Sequence, residues 1–105
     1  MTFYEIEQSI SQIEREYFTG AFSESVIRND LQNRKAMDSY STLGSTGRQT
    51  NELGNKKDFY IQDFNGIIAA INKVQTMYSS NSEFVSRCDR CINQINRLLG
   101  IVRSF

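Results

Sequence analysis

The sequence predicts an all-α fold, an antiparallel two-helix hairpin, on three observations. No proline occurs in 105 residues, so nothing forbids long helices. The second half carries a continuous heptad stripe, and a polar, glycine-bearing stretch separates it from the first half. A stripe this narrow needs another helix to cover it. The hairpin is therefore expected to complete a helical bundle with a partner chain, as a single domain over residues 1–105.

The first helix is expected from about residue 3 to about 40. It opens on a heptad of Phe3, Ile6, Ile10, Ile13 and Tyr17, then meets Gly20, where the pattern shifts toward Phe18, Ala21, Phe22, Val26 and Leu31. Glycine inside a helix costs about 1 kcal/mol relative to alanine, which predicts a bend or interruption there. The stretch from Ser41 to Asn55 holds three glycines among mostly polar residues and reads as the loop, about 41–55.

The second helix is expected over about 56–103, spanning on the order of 70 Å. Steps of three and four from Phe64 give Ile67, Ile71, Val74, Tyr78, Asn81, Val85, Cys88, Ile92, Ile95, Leu99 and Val102, with Asn81 the one polar member. Asn81 reads either as a register-setting polar residue or, within Ser79-Ser80-Asn81-Ser82, as the cap of a new helix. The stripe keeps its phase across this stretch, which predicts continuity. Tyr60, Ile61, Ile68, Leu98 and Ile101 widen the stripe beyond what one helix covers, predicting dimerisation or capture by another helical protein.

Charge placement supports the hairpin. Glu5, Glu7, Glu14 and Glu16 crowd the start of the first helix, and Arg87, Arg90, Arg97 and Arg103 the end of the second. Antiparallel packing sets these ends side by side, and each sign suits its own helix terminus. With the turn near residue 48, Tyr17 falls opposite Tyr78 and Gly20 lies near the polar interruption, so both helices loosen at one height, a candidate hinge or a place where a partner enters.

Composition excludes several function classes. Twelve basic and twelve acidic residues balance, so there is no net positive field for nucleic acid or anionic lipid. Histidine is absent, which removes the usual general base and the commonest metal ligand. No apolar run approaches the roughly 20 residues of a membrane span. The acidic N-terminus lacks the pattern of a signal peptide. A cytoplasmic protein without membrane insertion is expected, with export by a route needing no cleaved signal left open.

Cys88-Asp89-Arg90-Cys91 is the one constellation with chemical potential. Zinc would need two more ligands from a second chain, and a redox pair would need a strand–helix context. Inside a helix the two thiols sit one turn apart on the stripe and read as small core residues. No catalytic, cofactor-binding or metal-ligating residue is assigned. The partner-binding set is Phe59, Tyr60, Asp63, Phe64, Ile67, Ile71, Val74, Tyr78, Asn81, Val85, Ile92, Ile95, Leu99 and Val102. Adjacent Phe59 and Tyr60 cannot both face one seam, so one of them is the better interface residue.

In length, lack of proline and hairpin pattern the chain resembles the WXG-hairpin superfamily of type VII secretion and the small helical partners of LXG toxins. Phe64-Asn65-Gly66 stands nearest to Trp-x-Gly, and Phe59 with Asp63, like Phe3 with Glu7, matches an aromatic followed four residues later by an acid. The resemblance implies a non-enzymatic helical interaction protein without cofactor: a secretion-associated partner, targeting chaperone or small secreted substrate. Its partner would be another helical protein, such as a toxin's helical domain, or itself. A self-assembling coiled-coil structural or regulatory subunit, for example a phage- or plasmid-encoded inhibitor, is the alternative.

Overall fold

The computed structural model describes residues 1–43 and 50–105. The described residues are all-α and form four helices: α1 (Phe3–Phe18), α2 (Glu24–Leu43), α3 (Glu52–Met77) and α4 (Ser82–Ser104). Among the described residues there is no strand, and no helix is long and apolar enough to cross a membrane.

α1 starts at a capping box: Thr2 Oγ1 accepts the Glu5 N–H at 3.2 Å, and the Glu5 carboxylate accepts the Thr2 N–H at 3.3 Å. It ends where Gly20 was expected to interrupt it. The Phe22 N–H turns back to the Glu16 carbonyl at 2.9 Å, closing the last turn of α1. A Cβ at Gly20 would sit 3.0 Å from both the Arg15 carbonyl oxygen and Glu16 Cα, so a side chain there would force the turn to shift.

α2 runs further than expected, to Leu43, and α3 begins earlier, at Glu52. The loop anticipated over 41–55 is thus partly helical at both ends, and its centre, 44–49, lies outside the described residues. The physical reason for the early start of α3 is a cap supplied from α2. Asn51 makes no side-chain cap, whereas the Asp38 carboxylate accepts the N–H groups of Glu52 at 2.8 Å and Leu53 at 3.0 Å, plus the Thr50 hydroxyl at 2.7 Å. These bonds, led by that from Thr50, hold the Asp38 carboxyl below its ordinary range.

The expected single helix over 56–103 is corrected to two. α3 ends at Met77, and the Asn81 side chain caps α4 by accepting the Phe84 N–H at 3.0 Å. The phase of the stripe survives the break because both arms turn the same face inward. Left straight, that stripe would stay in water; folded at Tyr78–Asn81, its two halves cover each other. Phe3, Tyr78 and Phe84 close this end with ring centroids 4.7–5.8 Å apart.

The architecture is consequently a helical bundle of three rods, each antiparallel to the next along the chain, in place of two helices. α1 and α2 form one kinked rod, α3 descends beside it, and α4 rises again, within 60 × 22 × 20 Å. The acid-to-arginine pairing occurs, in the opposite sense to that expected. Glu14 and Glu24 each meet an arginine 73 residues further on, Arg87 at 2.7 Å and Arg97 at 2.6 Å. A constant offset means parallel rods, so α4 runs alongside α1–α2. The two breaks do not share a height either: Tyr78 lies against Phe3, while Tyr17 stacks on Phe22 with Phe64 edge-on at 5.2 Å.

Candidate partner-binding face

The heptad residues divide by depth. Phe64, Ile71, Cys88, Ile95, Leu99 and Val102 are buried in the chain's own core with Tyr60. Ile67, Val74, Tyr78 and Ile92 pack half-buried against it, and Val85 is half-buried. Asn81 is exposed and acts as the cap. Most of the stripe is therefore covered by the protein itself.

Of the aromatic pair, Tyr60 faces inward and Phe59 is 52 % exposed. Tyr60 is drawn in by Asp30 of α2, whose carboxylate accepts its hydroxyl at 2.7 Å. Burial opposes ionisation of Asp30, but the bonds from Tyr60 and from Arg34, at 3.0 Å, outweigh it and keep the carboxyl low. Lys56 lies 4.7 Å from the Phe59 ring centre, a cation–π contact.

α1 packs chiefly on α4, and between α1 and α3 an apolar slot of about 150 Å³ remains. Ile6, Ile10 and Ile13 line one wall and Ala70, Ile71 and Val74 the other, with Met1 and Ser9 at the rim. A second, more open concavity continues it along α3, formed by Phe59, Gln62, Asp63, Gly66 and Ile67. Five of the sequence-selected residues, Phe59, Asp63, Ile67, Ile71 and Val74, thus lie along one side of α3. The reasoning from sequence missed the α1 wall and Ala70. The first-half heptad pointed to Ile6, Ile10 and Ile13, and the small pair Ala69-Ala70 was the available signal for a shallow wall.

The electrostatics beside the slot are quiet. Burial, reinforced by the nearby Asp63 charge, pushes the Tyr17 phenol up to about 12. Arg87 and Arg90 pair with Glu14, and Arg97 with Glu24, so most of the basic line on α4 is engaged within the chain. Cys88 and Cys91 are free thiols in the core. Burial pushes Cys91 up to about 11 and raises Cys88 too, conditions that disfavour the reactive thiolate. Among the described residues no three His, Cys, Asp or Glu side chains gather where they could hold a metal.

Compared with known protein families, curated proteins and solved structures, the chain matches none.

Proposed function

We propose that this chain is a non-enzymatic helical interaction protein whose working surface is the α1–α3 side. What supports the reading is the slot: three rods bury one core, while along the groove between α1 and α3 Ala70 stays exposed and Ile13 and Val74 half-exposed above the buried Ile6, Ile10 and Ile71. A fourth helix laid there would complete a four-helix bundle, with apolar contacts at helical spacing. Phe59 and Asp63 sit on the same side of α3 and would flank such a helix.

Within that class the assignment is a type VII secretion-associated partner, targeting chaperone or small secreted substrate. The Phe59–Asp63 pair, an exposed aromatic one turn before an acid, supports it. Co-expression with helical domains encoded beside its gene tests the assignment. A one-to-one complex that is lost when Ala70→Trp fills the slot supports it; elution alone with every such domain removes it. The second reading is the self-assembling subunit, favoured by the arrangement of residues along the outer edge of α3.

A further inference from the structure

The outer edge of α3 carries a second heptad, distinct from the buried one: Phe59, Asp63, Gly66, Ala70, Lys73 and Met77. Its steps of four, three, four, three and four read the same from either end, and they place the six residues along one line of the helix. All are exposed except Asp63, which is half-buried; Met77 is 60 % exposed, more than Phe59. The line spans about 27 Å.

Its chemistry is self-complementary. A two-fold axis beside residue 68 would set Phe59 against Met77 of a second copy, Asp63 against Lys73, and Gly66 against Ala70. The ends would then meet as sulfur on aromatic, the next positions as two opposite-charge pairs, and the centre as small residues that let two helix backbones approach closely. Neither Asp63 nor Lys73 makes an ion pair or hydrogen bond among the described residues, so both charges are available. Gly66 has no explanation inside one chain. A Cβ built on it meets nothing within 4 Å, yet glycine is the least favourable helix-interior residue after proline. Gly100 is equally open, but it lies near the end of α4 among polar residues and has no matched partners around it.

We infer that the occupant of this face is a second copy of the chain, packed α3 against α3 in antiparallel sense about a two-fold axis. This deepens the reading of the α1–α3 side as the working surface and rests on it. The interface is isologous, so each residue of the line is used twice.

Sedimentation equilibrium on the full chain, over a concentration series, tests the inference. The expected mass is twice 12.1 kDa. Asp63→Lys and Lys73→Asp, each alone, are expected to yield monomers, because each sets like charges face to face. Mixing the two single variants, or combining both changes in one chain, is expected to restore the dimer. Gly66→Leu, which has room in the monomer, is expected to keep the circular dichroism spectrum and lose the dimer. A dimer indifferent to all three substitutions overturns the α3 pairing. A monomer that still enhances anilinonaphthalene sulfonate fluorescence, with the signal lost in Ala70→Trp, overturns the second copy while leaving the open slot standing. A monomer without that signal overturns both.

Discussion

Arg87 of α4 donates to Glu14 of α1 at 2.7 Å, and this pair locks the two rods in parallel register. The same guanidinium reaches the Ser11 hydroxyl at 2.9 Å, and Arg90 adds a second bond to Glu14 at 3.0 Å. The hydrogen bond from Arg87 is the main force lowering the Glu14 carboxyl; burial opposes it, and Arg90 assists. A carboxyl depressed in the native state stabilises the fold above its unfolded value, near 4.3, and that contribution is lost as pH falls through the lower native value. Urea titrations at neutral and acidic pH are therefore expected to show an acid loss of stability that is smaller in Glu14→Gln. At neutral pH that variant is expected to be weaker by about 1 kcal/mol. An unchanged pH profile would contradict the pairing.

The thiols give a second readout of the core. With Cys91 pushed up to about 11 and Cys88 also raised, both buried, labelling by Ellman's reagent at pH 8 is expected to follow global opening. The rate should rise with urea along the unfolding transition. Prompt labelling of the native protein would place a thiol at the surface. Cys91→Ala is expected to lower stability by about 1 kcal/mol through lost packing.

Asn81 caps α4 at the turn, its side chain accepting the Phe84 N–H at 3.0 Å. Asn81→Ala is expected to cost about 1 kcal/mol through loss of the α4 cap. Replacing Ser79-Ser80-Asn81-Ser82 by Ala-Ala-Leu-Ala goes further, because it favours one helix through the turn. The two halves of the stripe could then cover each other only between chains, so a domain-swapped oligomer is expected. Light scattering in the Asp63→Lys background, where the unswapped chain is expected to be a monomer, decides: a monomer mass there would mean that tertiary packing, not the cap, sets the break.

Gly20 and Gly100 are expected to respond oppositely to alanine. At Gly20 the new Cβ meets backbone of α1 at 3.0 Å, so the turn has to shift, at a cost on the order of 1–3 kcal/mol. At Gly100 the space is open, and alanine is expected to raise stability by up to about 1 kcal/mol. Thermal melts of the two variants check both signs.

Much of the local structure was legible. The interruption near Gly20 followed from a heptad that loses register at a glycine, whereas of the polar stretch over 41–55 both ends, 41–43 and 52–55, belong to helices. The spacing of Phe64, Ile95 and Leu99 marked them as needing cover and assigned them to a partner, whereas the chain's own core covers them. The break at Asn81 was not decidable by spacing, because a stripe keeps its phase whether its helix continues or folds back on itself. The cap at the start of α3 was hidden for another reason: its carboxylate, Asp38, stands 14 residues before Glu52, whose amide it caps. Of the candidate face, Phe59, Asp63, Ile67, Ile71 and Val74 were picked out, but its second wall on α1 was not.

By itself the sequence determined that this protein is helical, which residues prefer the interior, and where a helix is weak, because propensity, periodicity and capping act over a few residues. Tertiary structure alone decided that Tyr78–Asn81 is a turn, that α4 lies parallel to α1, and that a slot stays open between α1 and α3. Those choices depend on which apolar surfaces cover one another, and only the assembled rods determine that.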